Sequence, residues 1–456
     1  MDAPRHYQLT TIASILERAQ SPDSFRGLYV GPTGCGKGTI SAESLALLAK
    51  RGLRVLFVVH RTIIARDIFT RIPWSSKSLW VPGEGRDRRA AICVTTVQSL
   101  ANANTEPFDV VLVDEAPHYS MNSWSSIVHL SSSKHVFGFS ATPERPDGRP
   151  LREMFDSAEM ITSYTELLGW NQGLNPIIVP MDIIAPNEEL DGLAVHPVDA
   201  YRRYADGSRC LTYVPRIGLA HKTAKEFCDS GIPAEVIVMD TPDRQRASIV
   251  HRLMSGRTKV VVNVNTLSEG VDIPQVETII LGRICAHRST YVQISNRGTR
   301  SCPSTNKTRA LLIDLVGASH RHGNPVSDYD LNLDAVLGPP PSPSSSPSPP
   351  SPSPSSDSEG GADGDGESSG GNASGGNASG DGSSNDGEGE SAKRPEHEAL
   401  DIRNVELAPV SIPRYEGPPC NFEKFSPDVL SKLHEEMLTL PRVSRAGSVI
   451  SRVLWG

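Results

Sequence analysis

The chain has 456 residues, of which 38% are hydrophobic, and it carries a formal net charge of −8 at pH 7. Its length is sufficient for two or three domains. None of its seven cysteines forms a Cys-x-x-Cys pair, which argues against a zinc ribbon or a disulfide framework. The odd cysteine count, the lack of a signal peptide and the lack of an apolar run of roughly 18 residues predict an intracellular protein without a membrane span, in the cytoplasm or the nucleus.

The charge is distributed unevenly along the chain. Residues 339–392 consist almost entirely of Pro, Ser, Gly, Asn, Asp and Glu and contribute −9, whereas residues 1–338 together carry only +1. Such a composition cannot bury enough apolar surface to offset the entropy of ordering, so we predict a disordered linker over 336–399. A nearly neutral body is compatible with a nucleic-acid partner, because only the binding groove must be basic.

The first part of the body alternates predicted helices with apolar strands. Helical spacing of apolar residues covers 7–20 and 41–51, and short runs rich in β-branched residues lie around them. The predicted strands are 28–30, 55–59, 92–94, 110–113 and 135–139. Strands that alternate with helices indicate a doubly wound parallel sheet.

A second series of the same kind begins near Cys210. Helices are predicted at 218–229 and 243–255. The strands around them are predicted at 211–214, 234–238, 259–262, 278–281 and 310–313. We therefore predict two tandem α/β lobes, 1–165 and 195–335, joined by a connection at 166–194. A single large α/β domain is the alternative.

The C-terminal tail, 400–456, contains one predicted helix. It begins at Ser426-Pro427, because serine caps helix N-termini and proline suits the first helical position. Its apolar face is predicted to contain Leu430, Leu433, Met437 and Leu438. The tail is therefore predicted to be a small accessory or docking element, and its protein partners are not readable from sequence.

A glycine-rich turn between the first strand and the following helix has the spacing of a phosphate-binding loop. The residues predicted to bind nucleotide there are Gly31, Pro32, Thr33, Gly34, Cys35, Gly36, Lys37, Gly38 and Thr39. The glycines let backbone N–H groups converge on phosphate oxygens, and Lys37 supplies a catalytic charge to the β and γ phosphates. Gly38 stands where such loops usually have a Ser or Thr that helps hold Mg²⁺, so Thr39 is the candidate ligand. The Gly-Lys-Gly-Thr form resembles the adenylate kinase loop, which leaves a phosphotransferase as an alternative.

Two adjacent carboxylates, Asp114 and Glu115, end an apolar strand in the same predicted lobe. We predict that Asp114 holds Mg²⁺, directly or through water, and that Glu115 orients and deprotonates the attacking water. The pair is informative because a phosphate-binding loop lies upstream of it.

With these two motifs in order, the chain resembles the superfamily 2 helicases, and most closely the branch of type III restriction motor subunits and ATP-dependent repair helicases. The acidic box of that branch reads Asp-Glu-Ala-His, whereas Pro117 stands at the histidine position here and His118 follows. The resemblance implies RecA-like lobes, ATP with Mg²⁺, and a nucleic-acid partner, with DNA favoured over RNA by the branch alone. It also implies a coupling role for the box histidine, which His118 would have to fill.

The resemblance extends to further segments of the first lobe. Gln8 is similar to the glutamine that reads adenine in several branches. Ser140 and Thr142, in a Ser-Ala-Thr sequence, match the motif that couples hydrolysis to lobe movement. The residues that the resemblance assigns to the nucleic-acid backbone are His60, Arg61, Thr96 and Gln98.

Two segments of the second lobe complete the resemblance. Gly270 and Asp272 lie in a segment similar to the family's fifth motif, which implies nucleotide contacts with Asp272 near the ribose. A later segment is similar to the sixth motif and implies a coupling role for Gln293. In that segment Arg297 and Arg300 correspond to the arginine fingers that act on the triphosphate.

We therefore predict an ATP-dependent nucleic-acid helicase or translocase that hydrolyses ATP in the cleft between two lobes. Hydrolysis would break the bridge between the lobes and step the nucleic acid along. Gly38, Pro117 and Asn296 depart from the family motifs, and they keep open a nucleotide-binding scaffold with weak catalysis. A remodelling ATPase without strand separation is the other alternative, and the sequence does not reveal polarity.

Overall fold

The structure is a computed structural model. It describes residues 4–100, 106–170, 173–180, 193–264, 266–267, 273–326, 329, 331–335 and 424–440, except for the side chains of 132–134 and 243. The predicted linker, 336–399, lies outside the described residues, and so does most of the tail. In the part that is described, every helix is too short or too polar to cross a bilayer.

The first lobe contains a seven-stranded sheet flanked by helices. Its strands are β1 (Arg26–Val30), β2 (Val55–Val59), β3 (Lys77–Trp80), β4 (Ile92–Thr96), β5 (Phe108–Asp114), β6 (Ser131–Ser140) and β7 (Ser157–Met160). Its helices are α1 (His6–Arg18), α2 (Lys37–Lys50), α3 (Thr62–Arg71), α4 (Val97–Leu100), α5 (Met121–His129) and α6 (Tyr164–Gly169). The strand order is β3-β4-β2-β5-β6-β1-β7, and the neighbouring strands pair in parallel.

The second lobe contains a six-stranded parallel sheet. Its strands are β8 (Pro176–Pro180), β9 (Cys210–Tyr213), β10 (Ala234–Ile237), β11 (Val260–Asn263), β12 (Thr278–Leu281) and β13 (Ala310–Asp314). Its helices are α7 (Pro197–Tyr204), α8 (Ile217–Asp229), α9 (Asp243–Met254), α10 (Arg288–Ser295) and α11 (Ala318–His322). The strand order is β10-β11-β9-β12-β13-β8.

The edge strand β8 lies inside the segment that the sequence assigned to the connection between lobes. It pairs with β13 over its whole length, from Ala310↔Pro176 to Asp314↔Pro180. A strand that begins and ends with proline can pair on only one side, because proline has no N–H to donate, and this explains its place at the edge. The second sheet therefore starts within the connection.

Both sheets are buried on their two faces, as the continuous apolar runs predict. In β2 every residue is buried, and its side chains alternate between two apolar clusters on opposite faces of the first sheet. In β13 every residue is buried as well, and two further clusters flank the second sheet. The prediction of two α/β lobes with parallel sheets is confirmed, and a single sheet is excluded.

The tail helix, α12 (Pro427–Leu438), packs against α1 and belongs to the apolar core of the first lobe. Its buried apolar residues are Leu430, Leu433 and Met437, followed by Leu440 just beyond the helix. The prediction for Leu438 was wrong, since 61% of that residue is exposed. Leu438 follows Met437 directly, so it points about 100° further around the helix, away from the buried stripe.

Ion pairs flank the docked tail helix. Glu436 lies 3.1 Å from Arg51 Nη2 and 3.6 Å from Lys50 Nζ, both at the end of α2. Lys424, just before the helix, lies 3.7 Å from Glu17 of α1. The tail prediction is thereby sharpened, because the described part of the tail docks on this chain's own first lobe.

The chain returns to the first lobe directly after the second. Leu333 is buried in the core of the first lobe, and its carbonyl oxygen accepts a hydrogen bond from the Arg152 N–H at 2.9 Å. The Arg152 guanidinium also pairs with Asp334, with Nε 3.0 Å from Oδ1. The second lobe is therefore attached to the first at both of its ends.

Candidate active site

Several predicted site residues meet at the carboxyl edge of the first sheet. The phosphate-loop candidate follows β1, Ser140 ends β6 and Asp114 ends β5, and these three strands are neighbours in the order β5-β6-β1. Ligands of open parallel sheets bind outside the carboxyl ends of the strands. The fold therefore brings the loop, the acidic pair and the Ser-Ala-Thr motif to one place.

The glycines of the loop are required by its backbone. Gly34 and Gly36 have φ values of 96° and 89°, and Gly36 forms the N-cap of α2. A Cβ at Gly36 would overlap Gln8 Nε2, so a larger residue would displace that side chain as well as strain the backbone. Lys37, the first residue of α2, donates from Nζ to the Gly31 carbonyl oxygen at 2.7 Å. Its ammonium therefore lies over the loop, at the positive end of the helix dipole.

Two side chains of α1 hold the loop through one backbone carbonyl. The Tyr7 hydroxyl and Gln8 Nε2 each donate to the Cys35 carbonyl oxygen at 3.0 Å. Gln8 Oε1 accepts the Arg5 N–H at 3.0 Å, so both ends of the amide are used. The Tyr7 ring stacks on Trp170 with ring centroids 5.3 Å apart, and burial raises the pKa of Tyr7 to about 12, which keeps its hydroxyl protonated.

Glu115 has a backbone conformation that is rare for its residue type. Its φ is 47°, and in the described part of the chain only Asn306 shares a positive φ among non-glycine residues. Such conformations cost on the order of 1–3 kcal/mol and persist where the surrounding structure enforces them. Ser140 Oγ lies 2.8 Å from Glu115 Oε2, so the strained residue is tied to the Ser-Ala-Thr motif.

The Ser140 hydroxyl has two competing acceptors. Its Oγ also lies 2.8 Å from the Thr142 carbonyl oxygen and accepts the Thr142 N–H at 3.1 Å. One hydroxyl carries one proton, so it can donate to only one of the two oxygens at a time. A change of charge at Glu115 would therefore be felt in the backbone of the motif.

His118 lies between the acidic box and the Ser-Ala-Thr motif despite the proline before it. A short 3-10 turn, Ala116–His118, carries Pro117 near its start, where the missing N–H is not needed. His118 Nε2 lies 3.5 Å from Thr142 Oγ1 and 3.9 Å from Glu115 Oε2. The geometry is compatible with the predicted coupling role, which stays a prediction.

The two residues predicted to hold Mg²⁺ both lie at this edge. Asp114 is the last residue of β5, and Thr39 lies in the first turn of α2. A Cβ at Gly38 would make only ordinary contacts with Ile68 and Arg71, so space does not explain why glycine replaces the usual hydroxyl residue. Within the described ranges no three His, Cys, Asp or Glu side chains form a metal cluster. Oxygen ligands suit Mg²⁺, which commonly takes one or two protein ligands together with substrate phosphates.

One of the two predicted arginine fingers, Arg300, approaches the phosphate loop from the second lobe. Arg297 and Arg300 follow α10 of the second lobe, and a Cβ built on Gly34 would lie 4.0 Å from Arg300 Cγ. A small cavity beside them is lined by Pro32 and Ala141 of the first lobe and by Asn296 of the second. The lobes therefore meet where the sequence predicts that they share a nucleotide.

Asn296 has a structural role at the position where the sixth motif usually has glycine. It caps the C-terminus of α10, is buried, and donates from Nδ2 to the Pro325 carbonyl oxygen at 3.2 Å. Gln293, predicted to couple hydrolysis to movement, is also buried on α10. Asparagine in place of the usual glycine is therefore compatible with a loop whose Arg300 approaches the first lobe.

Two contacts between the lobes were not predicted from sequence. Arg288, the first residue of α10, lies 3.5 Å from Glu144 Oε1, just after the Ser-Ala-Thr motif. The Leu174 N–H, in the connection, donates to the Thr299 carbonyl oxygen at 2.7 Å. Arg288 begins the same helix that ends at the sixth motif, which is a signal that sequence reasoning could have used.

The residues predicted to contact nucleic acid lie further along the same sheet edge. His60 and Arg61 follow β2, and Val59 of β2 pairs with Thr96 of β4. Gln98 is exposed, whereas Thr96 is buried and its hydroxyl lies 3.0 Å from Ser99 Oγ. Along this one edge, the ends of β4 and β2 are set apart from the phosphate-loop candidate after β1 by β5 and β6.

Two predicted nucleotide contacts, Gly270 and Asp272, cannot be placed, because they lie outside the described residues.

Each of the two lobes is matched by a protein-family model. The family model for the res subunit of type III restriction enzymes matches residues 2–145, and the model for the helicase conserved C-terminal domain matches residues 194–302. Together the two models cover more than half of the chain.

Individual relatives are distant in sequence. A 51.5 kDa protein of a Lactococcus phage (isolate 7-9) is 24% identical over 320 residues, which cover 66% of this chain and 67% of the phage protein. A Saccharomyces cerevisiae protein named as an ATP-dependent helicase, IRC3, is 27% identical over 304 residues, covering 61% of this chain and 44% of the yeast protein. The chain thus spans less than half of that yeast relative.

Among solved structures, a fragment named as the HsdR subunit of a type I restriction enzyme from Vibrio vulnificus YJ016 is similar in fold. Its TM-score is 0.56 at 20% identity, with 71% of this chain and 66% of that chain covered. At this identity the likeness supports the two-lobed RecA-like architecture alone.

Proposed function

We propose that this chain, which belongs to the superfamily 2 helicases, hydrolyses ATP between its two lobes and uses the cycle to move along or separate nucleic acid. The observation that carries this proposal is the approach of Arg300 to Gly34, because it brings a second-lobe arginine over a first-lobe phosphate loop. Because the alignment covers only part of the yeast relative, the activity of the whole protein belongs to the proposal.

The proposed chemistry divides between the lobes. The phosphate loop and Lys37 bind the triphosphate, and Glu115 orients the attacking water and accepts its proton. Arg297 and Arg300 stabilise the charge on the transferred phosphoryl group. Mg²⁺, when bound, neutralises phosphate charge, and Asp114 and Thr39 are its candidate ligands.

The proposed coupling runs through the hydroxyl of Ser140. Glu115 gains a proton when it activates water, and its carboxylate then becomes a weaker acceptor for Ser140. The hydroxyl would turn to the Thr142 carbonyl oxygen, which lies at the same 2.8 Å distance. Because Glu144 of the following segment pairs with Arg288, this change can reach the second lobe.

We propose DNA as the substrate, with His60, Arg61, Thr96 and Gln98 at the binding edge. The preference rests on the restriction-enzyme family model that matches the first lobe. Phosphate contacts dominate such binding, so we expect affinity to fall as salt increases. Of the four residues, the buried Thr96 would contribute through its backbone or by a change of its contact with Ser99.

The test is phosphate release by the full chain with matched single- and double-stranded DNA and RNA, followed by strand displacement. We expect ATPase stimulation by DNA that is absent in Lys37→Ala. A wild-type rate equal to that of Lys37→Ala with every nucleic acid would favour a scaffold. Formation of ADP from added AMP would favour the phosphotransferase. ATPase stimulation without displacement would identify a translocase that does not unwind.

A further inference from the structure

Lys307 is a buried lysine that lies outside every predicted motif. It lies between the 3-10 turn Pro303–Thr305 and β13, and only 7% of it is exposed. Its Nζ donates to three backbone carbonyl oxygens, those of Gly298 at 2.6 Å, Arg300 at 2.8 Å and Pro274 at 3.2 Å. All three donors of the ammonium are therefore used by the main chain.

The three carbonyls belong to two segments that serve the nucleotide site. Gly298 and Arg300 lie in the loop of the predicted arginine fingers. Pro274 follows two residues after Asp272, in the segment similar to the fifth motif. One ammonium thus ties together the ends of the two second-lobe segments that the family motifs assign to nucleotide.

The burial of Lys307 has an energetic cost that its surroundings do not remove. Burial lowers the pKa of Lys307 to about 8. Cys302 and Glu277 act in the opposite direction, and the nearby charge of Arg300 lowers the pKa further. An apolar residue of similar length would avoid the cost of burying a charge, but it could not donate to the three carbonyl oxygens. What the lysine contributes is therefore the hydrogen bonding that positions these carbonyls.

We propose that Lys307 is a positioning residue that holds the arginine-finger loop against the end of the fifth-motif segment, so that Arg300 reaches the phosphate loop. The inference rests on the proposed function. The loop is also held from the connection, since the Thr299 carbonyl oxygen accepts the Leu174 N–H. Lys307 holds the loop from inside the second lobe and Leu174 from the connection, which fixes the backbone from which Arg300 projects.

The test compares Lys307→Met with Arg309→Met in the full chain. Methionine keeps the length of the side chain and removes the three donors, whereas Arg309 is exposed and lies two residues away. We expect Lys307→Met to lower the kcat of stimulated ATP hydrolysis by roughly 10- to 100-fold, because small misplacements of catalytic groups have effects of this size. The KM for ATP should change by less than about threefold, because the loop acts on the transition state.

A purely structural lysine would give a different result. Loss of folded protein in Lys307→Met, together with a wild-type kcat per folded molecule, would overturn the proposal. So would a wild-type kcat in a folded variant, or a loss of kcat equal to that of Arg309→Met. If the wild-type chain itself shows no nucleic-acid-stimulated ATPase, the proposed function fails instead.

The pH dependence gives a second arm of the test. Below pH 8 the charged ammonium donates three hydrogen bonds, so wild-type kcat should fall as the pH rises through about 8. Lys307→Arg, whose guanidinium stays charged, should lack this fall. The free energy of unfolding should change in the opposite direction. It should rise as the pH increases from about 8 to the ordinary lysine pKa, because in that range the unfolded chain binds more protons than the folded chain. If the decrease in kcat above pH 8 persisted in Lys307→Arg and disappeared in Cys302→Ala, the titrating group would be the Cys302 thiol, and the proposal would be contradicted.

Discussion

The phosphate loop and the arginine-finger loop are held in similar ways by different kinds of residue. In the first lobe Tyr7 and Gln8 donate to the Cys35 carbonyl oxygen, and in the second Lys307 donates to the carbonyls of Gly298 and Arg300. Both loops are shaped through the main chain. Gln8 lies in a segment that resembles one in several branches of the family, whereas Lys307 lies in none of the predicted motifs, so motifs predict the proposed reacting groups more completely than the groups that position them.

The comparison also separates chemistry from placement. On the first-lobe side, the Ser140 hydroxyl joins the Glu115 carboxylate and the Thr142 backbone N–H at 2.8–3.1 Å, and a substitution there changes a group that we propose acts on water or senses it. On the second-lobe side, a change at Lys307 leaves every reacting group present. We therefore expect the largest effect at Glu115, intermediate effects at Ser140 and Lys307, and the smallest effects at the tail.

The largest of these effects is expected for Glu115→Gln. The amide cannot accept the proton of water, so stimulated ATP hydrolysis should fall by about 10²–10⁴-fold. ATP should still bind, because the loop and Lys37 are unchanged. Single-turnover phosphate release and equilibrium nucleotide binding measure the two quantities separately.

The matched control is Glu435→Gln, an exposed carboxylate on the tail helix. It should behave as wild type. Hydrolysis by Glu115→Gln at the wild-type rate would remove the role given to this residue and weaken the contrast between the two loops.

A smaller effect is expected for Ser140→Ala. Hydrogen bonds to charged groups contribute about 1.5–3 kcal/mol, which corresponds to roughly 10- to 100-fold in rate. We expect ATP hydrolysis to fall by this amount and strand displacement to fall further, because the hydroxyl is proposed to transmit the change at Glu115. The ratio of displacement to ATP consumed gives the coupling directly.

Ser126→Ala, an exposed serine on α5, is the control for Ser140→Ala. An unchanged ratio of displacement to hydrolysis in Ser140→Ala would show that the hydroxyl does not couple the two processes.

The smallest effect on ATP hydrolysis is expected from Leu433→Ala at the tail. Leu433 is buried against the first lobe, and truncation of such a residue costs about 2–4 kcal/mol. We expect faster amide hydrogen exchange in α12 and α1, with kcat close to wild type. Val429→Ala, at a residue that is 46% exposed, should change neither. If amide hydrogen exchange in α12 and α1 were as slow in Leu433→Ala as in the wild type, the docked position of the tail helix would be contradicted.

The fold was largely predictable because its strands are buried on both sides. Runs such as 55–59 and 278–281 became strands with the predicted bounds. The sequence did not reveal β3 or β7, at the two edges of the first sheet, since four-residue strands such as Ser157–Met160 lack a continuous apolar run. Leu438 was misassigned because residues adjacent in a helix point in different directions.

The meeting of the candidate site residues was predictable where a motif depends on residue type in a pattern. The phosphate loop and acidic pair met at one sheet edge, and Arg300 reached the loop. The hydrogen bond between the Thr96 and Ser99 hydroxyls is local, since the two residues are three apart where β4 leads into α4. Sequence could not reveal the left-handed conformation of Glu115, because it depends on tertiary neighbours. Lys307 escaped notice for the same reason, since its partners are backbone carbonyls distributed over two segments.

The most direct test of the account is a double-mutant cycle between Lys37 and Arg300. Nucleic-acid-stimulated phosphate release would be measured for Lys37→Ala, Arg300→Ala and the double variant, with Arg257→Ala as an exposed control. If both side chains act on the same triphosphate, the double variant should be little slower than the slower single variant, because groups that act as a unit are strongly non-additive. Losses that simply multiply, or an Arg300→Ala variant that hydrolyses ATP at the wild-type rate, would contradict the account.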